Sequence, residues 1–249
     1  MNMRSTALAA TVAITLSAGP AGAQDGLEIG VWAQPENAIY GEREWRQNVY
    51  PYIRWQKDRW KIDGDRASFD LLRAADGGWT FGPEVRVEFD GYEADESPLL
   101  TGMNLRADPV FAGASGQIEL GWLELEAFAG HNVRDGGGAV VDLELGLDAP
   151  LAAKLLGFAG VGVRYGNAAY TNHLYGVRAA EARPGRPAYA PGASFVPYFE
   201  LGAAYELSPR WTLEADIEFL RLNSAIRHSP IVDAGSRTEG YVGILYRFH

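Results

Sequence analysis

The sequence predicts an all-β fold, a closed antiparallel transmembrane β-barrel of about 12 strands, and three observations lead to this prediction. The chain starts with a segment that has the layout of an export signal. Apolar residues then alternate with polar or small residues through most of the remaining sequence. Residues 240–249, GYVGILYRFH, form a strand pattern with an aromatic residue close to its end. Many barrels of the bacterial outer membrane close with such a strand.

Residues 1–23 are predicted to be a signal peptide. Arg4 is the single charged residue of a short N-terminal region, and residues 7–18 form an apolar run that is too short to span a bilayer as a helix. Ala21-Gly22-Ala23 is a cleavage site of the small-x-small type. The mature barrel is therefore expected to comprise residues 24–249.

The composition narrows the range of functions. The chain of 249 residues has a formal net charge of −10, which argues against a nucleic-acid partner because such a partner requires a basic face. It contains no cysteine, so neither disulfide bonds nor a lipoprotein anchor is expected. No residue pattern indicates a cofactor, and none is predicted.

Period-two alternation is typical of a strand whose two faces lie in different environments. In the final strand Val242, Ile244 and Phe248 occupy one face and Gly243 and Arg247 the other. The strand count is twelve if 60–63 and 67–72 are separate strands, and ten if one early segment lies outside the wall. In chain order, the same alternation is found in residues 27–32, 49–55, 60–63, 67–71, 81–90, 117–120, 123–129, 141–148, 159–165, 198–206, 211–219 and 241–248.

Two features favour a membrane barrel over a soluble β-sandwich. Aromatic residues such as Trp55, Phe81, Tyr165 and Trp211 stand near the ends of the apolar faces, as they do in the interfacial girdles of membrane barrels. The opposite faces carry charged residues in nearly every strand, which a shared apolar core does not accommodate. Outer-membrane lipid is therefore an expected partner.

The connection lengths predict the orientation, because membrane barrels have short periplasmic turns and long outer loops. Both chain termini then face the periplasm, which requires an even number of strands. The predicted periplasmic turns are Gly121-Trp122, Ala149–Lys154 and Ser208–Arg210, and the predicted outer loops are Gly91–Asp108, Asn167–Ser194 and Asn223–Arg237.

Acidic residues dominate the face that is predicted to point into the lumen. Two interpretations stay open: a plugged interior in which charged side chains pair with each other, and a narrow cation-preferring channel. Basic partners are available at Arg54, Lys61, Arg86, Arg164 and Arg247. The acidic lumen candidates are Glu84, Glu88, Glu124, Glu126, Asp142, Glu144, Glu200, Glu206, Glu214, Asp216 and Glu218.

The sequence predicts no catalytic, cofactor-binding or metal site. His228-Ser229 in a long outer loop is the one candidate for a lipid hydrolase, since a nucleophilic serine needs a base within reach. Adjacent residues of a strand point to opposite faces, and Ser229 precedes Pro230, so a turn is the favoured interpretation. His131 and Asp135 flank the glycine run 136–138, which is typical of a turn. A helical turn is predicted at Ala179–Ala182.

The order and spacing of several segments resemble the MipA/OmpV family of outer-membrane barrels. These segments are LEIGVWAQPENAIYGE near the mature start, YPYIRWQKDRWKIDGD, LYGV followed by YAPGASF, HSPIVD, and the terminal GYVGILYRF. Two departures are the charge-rich stretch Gly41–Asn48 and the His249 that follows the terminal Phe248.

The resemblance implies a location in the outer membrane of a Gram-negative bacterium. It also implies a non-catalytic scaffold that joins a murein-degrading lytic transglycosylase and a murein synthase in the periplasm. Some relatives are adhesins, which stays an alternative beside the cation-preferring channel.

Overall fold

The computed structural model describes residues 25–41, 45–134 and 137–248. The predicted signal peptide at 1–23 lies outside these residues, as do Asp135, Gly136 and His249. Within the described ranges, no helix is long and apolar enough to cross a membrane. The strands are β1 Gly26–Asn37, β2 Trp45–Lys57, β3 Trp60–Asp63, β4 Arg66–Phe69, β5 Leu72–Arg73, β6 Trp79–Val87, β7 Val110–Leu120, β8 Leu123–Asn132, β9 Ala139–Ala152, β10 Leu155–Gly166, β11 Ser194–Ser208, β12 Trp211–Arg221 and β13 Ser236–Phe248. The helices are α1 Ala168–Tyr175, a 3₁₀ helix Ala179–Glu181 and α2 Ser224–Arg227.

Successive strands pair antiparallel, except for β4 and β5, which do not pair with each other, and two pairings close the sheet. β1 pairs with β13, so the first and last strands of the barrel are neighbours. β4 and β5 both pair with β6 and act as one wall strand that is interrupted at 70–71. The described residues therefore form a closed barrel of twelve strands, which confirms the larger of the two predicted counts.

The two faces of the wall differ as the alternation predicts. In β9, Leu143 and Leu145 are 47% and 44% exposed, whereas Asp142 and Glu144 are buried. Exposed apolar side chains of this kind surround the barrel and provide the face for lipid. Charged side chains occupy the interior.

Four predicted boundaries are corrected by the pairing of the strands. The residues 149–152 continue β9, because Ala152 pairs with Leu155, and only 153–154 form the turn. Ser208 likewise belongs to β11 because it pairs with Trp211. β6 ends at Val87 rather than at residue 90, and β7 starts at Val110 rather than at residue 117.

The strands that form the barrel wall are shortest between β2 and β6. β3 and β4 have four residues each and are joined at Gly64-Asp65. β2 pairs with β3 only over Arg54–Lys57, so within the described residues the outer part of β2 has no partner strand on this side. Pro51 lies in that part, where its missing N–H removes no hydrogen bond from the sheet.

Candidate functional site

The lumen is the candidate functional site, and its outer end is filled by loops. We call the outer connections 88–109, 167–193 and 222–235 the plug. Their apolar side chains pack together and against the inner face of the wall, so the outer end of the lumen has the character of a protein core. The buried cluster consists of Ile39, Tyr92, Leu100, Met103, Phe111, Phe128, Val140, Tyr170, Leu174, Tyr175, Val177, Val196, Leu222, Ile226, Ile231 and Val232.

Local sequence signals begin both helices of the plug. The side chain of Asn167 accepts a hydrogen bond of 3.0 Å from the backbone N–H of Tyr170 and caps α1. The side chain of Asn223 does the same for Ile226 at 3.1 Å and caps α2. Asparagine is among the residues preferred at this position. The predicted helical turn at Ala179–Ala182 matches the 3₁₀ helix, whereas α1 was not predicted.

A buried ion pair joins two loops of the plug. The Nη1 and Nη2 groups of Arg106 donate to the carboxylate of Glu181 at 2.9 and 2.8 Å. The Nε of Arg106 donates to the carbonyl of His173 at 2.8 Å, and only 1% of the Arg106 surface is exposed. Close by, Arg186 donates to the carbonyls of Leu99 and Thr101 at 2.8 and 2.9 Å. These contacts connect loop 88–109 to loop 167–193.

Glu181 should make the plug sensitive to low pH. Burial raises the pKa of this carboxyl, but hydrogen bonds from Arg106 and from the backbone N–H groups of Arg178 and Asn104 outweigh it and lower the pKa to about 2. A lowered folded-state pKa stabilises the plug above the ordinary value of 4.5, and the stabilisation is lost as the pH falls towards 2. We expect the protection of residues 99–106 against hydrogen exchange, relative to the intrinsic rate at each pH, to fall over this window. A Glu181→Gln variant that kept the same pH dependence would contradict the assignment.

Below the plug, arginines bridge acidic residues on different strands. Arg86 donates to Asp142 at 3.0 Å and approaches Glu84 at 2.8 Å, and its guanidinium lies 4.1 Å from the ring centre of Phe128. Arg164 donates to the same Asp142 at 2.8 Å. β6, β9 and β10 are thereby linked across the interior.

A second group of ion pairs links the strands around the closure of the barrel. Arg237 on β13 lies 2.7 Å from Glu36 and 2.6 Å from Asp90. Arg54 on β2 lies 3.0 Å from both Glu28 and Glu214. Each arginine thus compensates acidic groups of at least two elements, which is the arrangement that buried charges require.

Several charged residues of the lumen were not predicted from the sequence. They are the acidic residues Glu28, Glu36, Asp63, Asp90 and Glu239 and the basic partners Arg66 and Arg237. For those on strands the sequence signal was present, since they follow the alternation of apolar and polar residues in their strands.

The predicted lumen residues fall into three groups by exposure. Glu84, Glu88, Asp142, Glu144, Glu200, Glu214 and Glu218 are buried, Glu124, Glu126 and Asp216 are half-buried, and Glu206 is exposed at the periplasmic end of β11.

In one sector of the lumen, acidic residues lie next to each other and form no ion pair with an arginine among the described residues. Glu200 and Glu218 are directly opposite on β11 and β12. The hydroxyl of Tyr198 donates to Glu144 at 2.9 Å, and Gly162 leaves room for that hydroxyl because a Cβ there would contact it. Directly opposed acids favour either protonation or a nearby cation.

Two small cavities lie among the described residues inside the barrel. One, of about 40 Å³, lies between the plug and the ion pairs and is lined by Asp90, Arg164, Tyr170 and Glu218. A second of about 40 Å³ lies near the periplasmic turns, against β3, β4 and β7. A cavity of this size holds about three water molecules. No group of three metal-ligating side chains occurs in the part of the chain that the structure describes.

The geometry around His228 and Ser229 does not suit a hydrolase. The hydroxyl of Ser229 is buried and donates to the carbonyl of Tyr175 at 2.6 Å. His228 is exposed and ends α2. His131 also points outwards on β8, whereas His173 is buried with Nε2 3.0 Å from the carbonyl of Ala107.

Known proteins resemble this chain over most of its length. The model of the family described as "MltA-interacting protein MipA" matches residues 29–248. The chain is 29% identical to the outer membrane protein OmpV of Vibrio cholerae over 165 residues, which is 64% of this chain and 61% of that protein. It is 33% identical to the MltA-interacting protein of Escherichia coli over 90 residues, 36% of each chain. It therefore spans less than two thirds of the length of these curated relatives.

A solved structure resembles the whole fold. It is that of an outer membrane channel from Pseudomonas putida F1, with a TM-score of 0.52 and 10% sequence identity, and the match covers 95% of this chain and 100% of that chain. At this identity the likeness concerns the fold alone. Together with the relatives named as outer membrane proteins, it confirms the predicted barrel and its location in the outer membrane.

Proposed function

Because this chain belongs to the MipA family, we propose that it is a non-catalytic scaffold that holds murein-remodelling enzymes at the inner face of the outer membrane. The proposed partners are a lytic transglycosylase and a murein synthase. The observation that carries the proposal is the contrast between the two ends of the barrel. The outer end is filled by the plug, whereas the periplasmic end presents a projecting hairpin with exposed apolar residues.

The projecting hairpin is formed by the periplasmic ends of β9 and β10. The last residue pair of β8 and β9 is Leu123 with Leu147, so the residues 149–154 extend beyond the neighbouring turn. Leu151 on this hairpin is 64% exposed, and Trp122 in the neighbouring turn is 69% exposed. Exposed apolar side chains that lie close together at the rim of a protein are typical of sites for partner proteins.

Substitution of the two apolar residues should weaken the association. We expect a variant with Leu151→Ser and Trp122→Ser to retain about one tenth or less of the murein hydrolase that co-purifies with the wild-type protein from solubilised envelopes, since a few exposed aromatic and apolar side chains carry most of the binding energy of an interface. The footprint is small, so the wild-type association should be weak or transient.

The matched control is Leu105→Ser in the plug. Leu105 is also 64% exposed, but it lies in an outer loop, which a periplasmic enzyme does not reach. The control variant should retain the enzyme. Loss of the enzyme from the Leu105→Ser variant, with retention by the Leu151→Ser, Trp122→Ser variant, would refute either the orientation or the scaffold role.

A cation-preferring channel is the second candidate. The sector with Glu144, Glu200 and Glu218 favours it, because adjacent carboxylates attract cations. The plug argues against it in the resting protein. Conduction through this interior would require displacement of the plug.

A further inference from the structure

The cavity near the periplasmic turns contains buried polar atoms without partners. It lies between the short β3–β4 hairpin and the inner faces of β6, β7 and β8, and its lining includes Lys61, Asp63, Arg66, Ser68 and Glu126. Lys61 follows a periplasmic turn directly, so the cavity is on the periplasmic side of the ion pairs. Among the described residues that line it, Arg66 and Asp63 are the ones whose side chains have hydrogen-bonding groups without a partner, and Asp65, next to Arg66 in the chain, also has two such oxygens.

Arg66 lines this cavity and has two hydrogen-bond donors without a partner among the described residues. The residue is 7% exposed, and its Nη1 donates to Glu126 at 2.9 Å. Its Nε and Nη2 have no hydrogen-bond partner among the described residues. These two groups lie on one edge of the planar guanidinium, and their spacing matches the two oxygens of a carboxylate.

Asp63 offers an acceptor opposite that edge. The residue is 3% exposed and pairs directly with Arg66 across the hairpin, which places their Cβ atoms about 5 Å apart. Its Oδ1 accepts from the hydroxyl of Tyr52, while its Oδ2 has no hydrogen-bond partner within the described ranges. An ammonium group is the donor that a carboxylate oxygen in such a position prefers.

The hairpin holds these two side chains in place. Gly64 at its tip has a positive φ of +57°, and a Cβ there would lie 2.6 Å from the ring of Tyr52. The other charges of the cavity have partners, since Lys61 lies 3.2 Å from Asp70 and Arg86 lies 2.8 Å from Glu84, and Asp63 itself also lies 3.6 Å from Arg54. Among the described residues that line the cavity, the edge of Arg66 and Oδ2 of Asp63 are left without a hydrogen bond, and a buried polar group needs a partner.

We propose that this cavity binds a small zwitterion with a carboxylate and an ammonium group on neighbouring carbons, of the class of a free α-amino acid, from the periplasm. The carboxylate would pair with the free edge of Arg66 and the ammonium group with Oδ2 of Asp63. A cavity of about 40 Å³ has room for about three water molecules, which matches a molecule the size of alanine. The site is independent of the scaffold role.

The first test uses the unmodified full-length protein in detergent micelles. Calorimetric titration compares alanine with propionate, which lacks the ammonium group, and with ethylamine, which lacks the carboxylate. We expect alanine to bind at least about tenfold more tightly than either analogue, because each analogue leaves one charged group of the site unmet. Absence of saturable alanine binding, or equal binding of alanine and propionate, overturns the proposal.

The second test separates the two halves of the site. Arg66→Lys keeps the charge but loses the two-pronged edge, and it should weaken binding of alanine and propionate but not of ethylamine. Asp63→Asn should weaken binding of alanine and ethylamine but not of propionate. The exposed pair Arg73 and Asp58, 3.6 Å apart, gives the matched controls Arg73→Gln and Asp58→Asn, which should bind as wild type. Alanine binding that Arg66→Lys and Asp63→Asn leave unchanged overturns the assignment.

Discussion

An Arg106→Ala variant is expected to open the outer end of the barrel. Arg106 is the buried cation that Glu181 faces in the plug, and it also donates to the carbonyls of His173 and Asn104. Removal of one partner of a buried ion pair leaves an uncompensated charge and costs about 3–5 kcal/mol. In planar bilayers the wild-type protein should show no conductance or small events, and the Arg106→Ala variant should show frequent larger openings.

Two further variants test whether the ion pair is the cause. Arg183→Ala removes an exposed arginine from the plug loop that contains Glu181. The side chain of Arg183 donates a 3.4 Å hydrogen bond to the carbonyl of Pro98, and its removal should leave conductance unchanged. A double variant with Arg106→Met and Glu181→Met removes both charges, and because apolar replacement of a buried pair is often nearly neutral, it should stay closed. Larger openings in the Arg183→Ala variant and none in the Arg106→Ala variant would contradict this account of the plug.

The selectivity of these openings tests the acidic lumen. The openings of the Arg106→Ala variant should prefer cations, because acidic rings attract them. Neutralising Glu214, Asp216 and Glu218 should reduce that preference. Large anion-selective openings would contradict both the plugged and the channel interpretation of the interior.

Strands whose two faces differ strongly were predictable from the sequence. In β9 the apolar residues Val141, Leu143, Leu145 and Leu147 alternate with Asp142, Glu144 and Gly146, and the predicted strand lies within the observed one. The first half of β7 was missed because Ala112, Gly113, Ala114 and Ser115 are all small. Small residues give little hydrophobic contrast between the faces, although the pairing with β6 and β8 is complete there.

The plug could not be predicted from local patterns. Its central ion pair joins Arg106 to Glu181, which are separated by 75 positions in the chain. Its apolar residues, such as Leu100 and Leu174, lie in segments whose sequences show neither strand nor helix periodicity. Tertiary packing decides such a structure, and the sequence pattern indicated only that the loops are long. By contrast, the sequence pattern could indicate which acidic residues share one face of a strand, because the side chains of a strand alternate strictly between its two faces.

Leu143→Arg is expected to impair assembly of the barrel strongly. Leu143 lies within β9 between the buried Asp142 and Glu144 and points outwards with 47% exposure. An arginine on the lipid face near the middle of the membrane costs about 2–4 kcal/mol. The measurement is the free energy of unfolding in lipid vesicles, together with the amount of folded protein in the outer-membrane fraction.

The matched control for this variant is Leu105→Arg. Leu105 is more exposed than Leu143, at 64%, but it lies in the plug on the outer side, where an arginine stays hydrated. The same substitution should therefore change the free energy of unfolding by less than about 0.5 kcal/mol there. Since the two variants introduce the same side chain at exposed leucines, the difference between them measures the contribution of lipid alone. Equal stability of the two variants would mean that Leu143 does not face the membrane, and the inward position of Glu144 would then be wrong as well.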